Sequence, residues 1–346
     1  MRFASSIQRD FRNLENTRRE WGPGLNLILG PNGAGKTNLL ESLSVLAGWG
    51  PFAARTSGGR IRGTVAWGSP EGRALLGANM AGEEEHEVRV LLSSRMTPHV
   101  DGQRATCTDL RLLLPSIVFL PTDIDLIDGP PGLRRLFLDK LCALYHPLYA
   151  RRLSEFQKVS RNRAALLRQG RSPRITAIPF ARLGGWILEA RRHVVSLLLE
   201  PNDGSRLSLS MLPKLENGGA EYLLSALEET EEREAHALRP LVGPGRDELE
   251  IAVRDGEGSV YRPASECLSR GQKRRLVLSL ILMSGRLIER RLHRKPVLLF
   301  DDLGAELDAE NRRRAGELLL DTGWQVFVTG TEDPFPGLEK SVHVLT

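Results

Sequence analysis

Apolar and polar positions change period along the chain, and the changes mark its elements. Residues 2–7 and 25–30 read as strands: Leu25, Leu27, Ile28 and Leu29 are apolar, and Gly30 begins a turn. Residues 38–47 place Leu39, Leu40, Leu43, Leu46 and Ala47 at helical spacing, and Gly48 and Gly50 end that helix. From Arg60 to Val118 the runs are short and strand-like, at 61–67, 74–77 and 87–92. Turns such as Asp101-Gly102 separate them, which predicts antiparallel sheet.

After Pro121 the period lengthens. Residues 133–144, 148–167, 186–199 and 221–238 predict amphipathic helices, the last with a very polar face. Links are expected at 169–175 and 201–219, where Gly, Ser, Pro and Asn gather. Sheet returns at 249–253, with a turn at Asp255-Gly256. A long helix at 271–290, an apolar strand at 296–300, a helix at 308–320 and a strand at 324–329 follow, the alternation of a parallel sheet. The expected organisation is α/β: residues 1–124 as the first part of a head with mixed sheets, 125–240 as an inserted helical second domain, and 241–346 as the second part of the head.

Composition narrows this only a little. A chain of 346 residues is long enough to bury roughly three-quarters of its unfolded surface. Arg9, Asp10, Arg12 and Arg19 interrupt any secretory signal. No apolar run approaches the ~18 residues of a membrane span, so no membrane partner is expected. Cys107, Cys142 and Cys267 fit no metal-ligand spacing, and a reducing cytoplasm is the expected compartment. The net charge is +5 and nearly all of the basic residues are arginine. That suits a polyanion partner, because arginine grips phosphate with two donors, but a GC-rich coding bias gives the same composition.

The chemistry lies at the two ends. Gly30-Pro31-Asn32-Gly33-Ala34-Gly35-Lys36-Thr37 matches GxxxxGK[ST] in full, between an apolar strand and a helix led by Asn38. The glycines let backbone amides curl around phosphate oxygens, and the helix presents its positive end to the same charge. Lys36 is placed for the β and γ phosphates, and the Thr37 hydroxyl for Mg2+. Asp301 ends the strand at 296–300 and is a second candidate Mg2+ ligand. Adjacent Asp302 is placed to orient the attacking water. Ser269-Arg270-Gly271-Gln272 opens the long helix. A serine hydroxyl and glycine amides at a helix start make a second γ-phosphate receptor. Asp301 already serves the chain's own phosphate loop, so Ser269, Gly271 and Gln272 are expected to act in trans, on the ATP of a second copy. Asp308 either caps the helix after it or crosses that dimer interface. Thr329 and Thr331 either contact the γ phosphate or simply end a surface strand.

Together these stretches resemble the RecF family, bacterial recombination mediators related to the structural-maintenance-of-chromosomes ATPases. Asp10-Phe11-Arg12-Asn13, Lys36-Thr37-Asn38-Leu39-Leu40-Glu41, Arg55-Thr56-Ser57 and Pro121-Thr122-Asp123 carry the likeness. So do residues 129–139, Gly243-Pro244-Gly245-Arg246-Asp247, Ser269-Arg270-Gly271-Gln272 as the signature loop and Asp301-Asp302 through Asp308, in family order over nearly the whole chain. The resemblance implies an ABC-type head with a helical second domain and a weak, DNA-dependent ATPase. It implies an ATP-dependent homodimer that binds double-stranded DNA and single-strand/double-strand junctions. It further implies work with RecO and RecR to load RecA in gap repair, fork restart and the damage response, in the cytoplasm and on the nucleoid. It brings Arg12 to the base or α phosphate of ATP. Departures are Gly245 and Ala54, where histidine is common, and Arg270 at a variable signature position; no Q-loop glutamine is assigned.

A DNA surface is sought among Arg134 and Arg135 on one helix and Arg151, Arg152, Lys158, Arg161, Arg163 and Arg168 on the next, with Arg151, Lys158 and Arg161 near one face. Such a stripe neutralises phosphates without reading bases, or is an ordinary solvated face. Acidic residues 83–85 and 228–234 belong elsewhere, and Lys273, Arg274 and Arg275 are candidates for partner-subunit contact. Two competing readings are an ABC-type ATPase switch on a protein partner without DNA binding, and a transporter ATPase subunit. The missing Q-loop glutamine and switch histidine weigh against the second.

Overall fold

The computed structural model describes residues 1–52, 65, 69, 72–198, 207–212, 219–254, 260–304 and 309–346. The candidates Asp308, Ala54 and Arg55-Thr56-Ser57, most of the strand expected at 61–67 and the turn Asp255-Gly256 lie outside them.

The chain forms two compact units, Met1–Thr122 with Ile288–Thr346, and Asp123–Leu287. In the first, strands β1 (Arg2–Arg9), β2 (Arg18–Glu20) and β3 (Leu25–Leu29) lead to helix α1 (Lys36–Leu46). Strands β4 (Ala74–Ala81), β5 (His86–Leu92), β6 (Met96–Val100) and β7 (Gln103–Arg104), helix α2 (Cys107–Leu113) and strand β8 (Ser116–Phe119) follow. In the second come α3 (Asp125–Asp128), α4 (Pro131–Tyr145), α5 (Tyr149–Arg168), α6 (Ala177–Leu198), β9 (Leu207–Leu212), α7 (Gly219–Glu229) and α8 (Glu231–Ala237). Strands β10 (Glu248–Arg254) and β11 (Tyr261–Pro263), α9 (Ala264–Cys267) and the long α10 (Arg270–Leu292) complete this stretch. The chain then closes with β12 (Val297–Phe300), α11 (Ala309–Asp321), β13 (Gln325–Gly330) and β14 (Ser341–Val344).

The first unit stacks two sheets. One is antiparallel, in the order β2-β1-β4-β5-β6-β7; the other is β14-β3-β13-β12-β8, every neighbour parallel. Helix α1 touches β4 and β5 on one side and β12 and β13 on the other. Its positions from Leu39 to Leu46 are therefore all buried, where the sequence predicts one apolar stripe. Gln325, also buried, accepts from the Phe3 amide at 2.8 Å and donates to the Phe3 carbonyl at 2.9 Å, so β13 is tied to the other sheet. Phe3 and Trp21 set their rings edge-on to Phe327 in the same core.

In the second unit, residues 241–287, which the sequence assigns to the head, form one compact body with 123–240. The cause is a separate three-stranded sheet, β11-β10-β9, on which α4 rests. Its β9 falls inside the expected link at 201–219. Helix α6 begins well before the expected residue 186. Gly184 and Gly185 interrupt its apolar stripe in sequence, yet they are where another helix comes close: a Cβ on Gly185 would lie 2.4 Å from the Ala220 nitrogen. The helix expected at 221–238 is two helices, α7 and α8. No helix among the described residues is long and apolar enough to cross a membrane.

Candidate nucleotide site

Register brings the site together. Phe300 pairs with both Phe119 and Val328, and Gly330 pairs with Leu29. The carboxyl ends of β3, β12 and β13 thus lie side by side, so Gly30, Asp301 and Thr329 emerge at one edge. Open parallel sheets place ligands at that edge.

The loop from Gly30 to Thr37 takes the shape its glycines allow. Gly33 and Gly35 have φ of 86° and 91°, left-handed values that other residues rarely adopt. Gly30 is required for a different reason: a Cβ there would lie 2.5 Å from the Leu345 carbonyl oxygen. Pro31, Asn32, Gly33 and Thr37 are exposed, while Gly30 and Gly35 are buried. Lys36 folds over the loop and donates from Nζ to the Gly30 and Pro31 carbonyls at 2.7 and 2.8 Å. Asn38 donates to Asn13 at 2.6 Å, and Asn13 donates to the Gly33 carbonyl at 3.0 Å, so a side chain from the β1–β2 connection braces the loop. Arg12 grips Glu41 through two nitrogens, with Nη2 to Oε1 at 2.8 Å. Glu41 is 1% exposed and also accepts the Phe52 amide at 2.7 Å. A buried carboxylate needs such partners, and in this geometry Arg12 is one of them.

The two acidic residues differ. Asp301 is buried and receives the Thr37 hydroxyl at 3.0 Å to each oxygen. Asp302 is exposed, with φ of 51°. Desolvation first and the Asp301 carboxylate second push its carboxyl above the ordinary range, and Lys36 partly opposes them. Thr329 is 1% exposed, not a surface strand end. Its hydroxyl donates to Asp301 Oδ1 at 2.6 Å and accepts the Asp302 amide at 2.9 Å. Thr37 Oγ1 and the Asp301 carboxylate are a pair of hard oxygen donors. That set suits Mg2+, which takes few protein ligands and completes its shell with phosphate and water.

The signature candidates belong to the second unit. The Ser269 amide donates to Gln272 Oε1 at 2.8 Å, and the Gln272 amide donates to Ser269 Oγ at 3.4 Å. This reciprocal pair caps α10. Ser269, Arg270, Gly271 and Gln272 are all exposed, and Gly271 faces open space. Lys273 is turned inward: its Nζ donates to both Asp128 oxygens at 2.7 and 3.0 Å and to the Ser265 carbonyl at 2.8 Å.

Several basic residues sought for DNA are used internally. Arg134 pairs with Glu248 at 2.5 Å and donates to the Leu126 and Gly129 carbonyls. Arg135 donates to the Asp247 carbonyl at 2.7 Å. Arg163 is 2% exposed and pairs at 2.6 Å with Glu234, itself fully buried. Arg152 lies over the Trp186 ring. Arg151, Lys158, Arg161 and Arg168 remain exposed.

Residues 8–99 match the family model described as an AAA domain. The DNA replication and repair protein RecF of Moorella thermoacetica is 31% identical, with 93% of this chain and 88% of that protein covered. The protein of the same name from Roseiflexus castenholzii is 31% identical, covering 94% of this chain and 92% of its own. Among solved structures, the recombination mediator protein RecF with ATPrS in the RecFOR pathway superposes with a TM-score of 0.84 at 23% identity, over 99% of this chain and 95% of that one. The fold is therefore that of a P-loop ATPase head with mixed sheets and an inserted helical region. With a phosphate loop, an acidic pair at the sheet edge and end-to-end similarity to these relatives, the chain belongs to the RecF family.

Proposed function

We propose that this RecF-family ATPase is an ATP-dependent recombination mediator. It binds double-stranded DNA and single-strand/double-strand junctions as an ATP-gated homodimer, and with RecO and RecR helps load RecA in gap repair, fork restart and the damage response. The observation that carries the reading is end-to-end similarity to RecF proteins in a chain whose phosphate loop and acidic pair converge. The absence of a spanning helix among the described residues suits a cytoplasmic protein that joins the nucleoid when on DNA.

In this reading the amides of the loop at 30–35 cradle the phosphates. Lys36 leaves its two carbonyl partners to meet the β and γ oxygens. Thr37 and Asp301 hold Mg2+, which when bound neutralises developing charge on the phosphate oxygens. Asp302 orients the attacking water. Ser269, Gly271 and Gln272 are supplied to the nucleotide of the second copy. Their exposure supports this, because a capped helix start with open space around Gly271 has room for a phosphate.

Light-scattering mass of the purified protein, alone and with ADP or ATP, with and without a short gapped duplex, tests the proposal. A mass that doubles only with ATP and shifts again with the duplex supports it. Doubling without a DNA shift assigns the chain to a switch on a protein partner. An unchanged mass in every condition removes the trans role of Ser269.

A further inference from the structure

The hydroxyl of Thr329 is turned onto the acidic pair. It donates to Asp301 Oδ1 at 2.6 Å, and that oxygen also receives Thr37 at 3.0 Å. The Asp301 carboxylate is thereby held by two hydroxyls. The same Thr329 oxygen accepts the amide of Asp302, whose φ of 51° is costly for a residue with a Cβ. Such a backbone persists only where its surroundings over-determine it, and the Thr329 bond is one such restraint. The Asp301 amide is held separately, by the Phe119 carbonyl at 2.9 Å. One side chain, 1% exposed and remote in sequence, thus touches both acidic residues.

We propose that Thr329 is a positioning residue for ATP hydrolysis: its hydroxyl sets the Asp301 carboxylate toward the metal position and holds the backbone that aims Asp302. The proposal rests on the roles given above to Asp301 and Asp302. It replaces a γ-phosphate contact by Thr329 with an indirect action through its two neighbours.

The test compares Thr329→Val, Thr329→Ser and Thr329→Cys in the full chain, with Asp301→Asn as control. The primary readout is binding, not turnover: the affinity of a fluorescent, non-hydrolysable ATP analogue titrated with Mg2+. Valine keeps the shape and removes the hydroxyl. It is expected to raise the Mg2+ needed for half-maximal binding about tenfold and to slow turnover at least as much, with metal-free binding unchanged. Serine keeps the hydroxyl and should stay within about twofold of the parent, while cysteine, a weak donor of similar size, should resemble valine. A Thr329→Val protein with the parent's Mg2+ titration and turnover overturns the proposal. If Thr329→Val does not fold, the serine and cysteine proteins decide, and equal Mg2+ titrations overturn it. An Asp301→Asn protein with an unaltered Mg2+ requirement removes the underlying reading of the site, a failure distinct from that of Thr329 alone.

Discussion

The nucleotide site and the helical unit both bury charged and polar groups, but they end differently. In the first unit, Glu41, Asp301 and Thr329 are buried behind exposed Pro31, Asn32, Gly33, Thr37 and Asp302. Buried groups there brace others that face solvent. In the second unit the buried charges pair with one another and with nearby backbone. Arg163 meets Glu234, and Arg191 joins Asp139 and Asp247, each at 2.6–2.8 Å. The first arrangement is built to act on something else, and the second to hold helices together. Arginine content alone does not separate the two.

The contrast breaks most sharply at Arg163. Removing one member of a buried ion pair leaves an uncompensated charge, at a cost of about 3–5 kcal/mol. Glu234→Ala should therefore lower unfolding stability by that order while leaving nucleotide affinity intact in the folded fraction. Replacing both partners with Arg163→Met and Glu234→Leu should recover only part of the loss, because the Pro173 carbonyl and the Leu241 amide also lose a partner. Denaturant unfolding and a nucleotide titration on the same samples check this. A double variant as unstable as Glu234→Ala would mean that the charges themselves are required.

Lys36→Ala should do the reverse. Loss of one charged donor at a phosphate typically costs about 100-fold in turnover or more, and stability should barely move, because Lys36 is only half-buried. Steady-state ATPase rates beside a thermal melt test it. A large fall in melting temperature would show that its bonds to the Gly30 and Pro31 carbonyls hold the loop together.

The difference between the two regions was unevenly legible in the residues. The phosphate loop is local, so its motif alone reveals it. Asp301 and Asp302 are found by the apolar run before them. For Thr329 the residues alone leave phosphate contact and a surface end open, although its strand carries a signal. Val326, Phe327 and Val328 are apolar on both faces, which marks a central parallel strand. Arg163 also carried a signal: Tyr149, Phe156, Arg163 and Leu167 share one buried stripe of α5. Strand β9 had no local signal, because its partner β10 lies far along the chain and on the other side of two helices. For the same reason the sheet expected at 249–253 is not a return to the head: it pairs within the second unit.

A smaller effect sharpens the role of the arginine network. Burial pushes the Asp247 carboxyl up to about 6 from 3.8, and the Arg191 charge only partly offsets it. Between about pH 4 and 6 the folded state therefore holds a proton that the unfolded chain has released, and above that window Asp247 is ionised against Arg191. That contribution to stability is full below about pH 4 and is lost as pH rises through about 6. The melting temperature should carry a falling component across that window, and Asp247→Asn should flatten it. A wild-type slope in Asp247→Asn would place the proton elsewhere.

The smallest effect concerns what remains on the surface. With Arg134 and Arg135 of α4 and Arg152 and Arg163 of α5 committed internally, the basic face available reduces to Arg151, Lys158, Arg161 and Arg168 of α5, and Arg151 is already shared with Glu155 at 3.0 Å. If this face tracks DNA phosphates, each alanine substitution at Lys158, Arg161 or Arg168 removes about one counterion-releasing contact. The slope of log K against log salt should then shallow by about 0.9 per residue on duplex DNA, with no change of sequence preference. Arg151→Ala should do less, because Glu155 already neutralises part of its charge. Neither stability nor nucleotide affinity should respond, since these side chains are exposed. Binding measured across a salt series in the presence of ATP makes the comparison. An unchanged slope in the triple variant would move the DNA surface off α5 altogether and leave these residues as a solvated helix face.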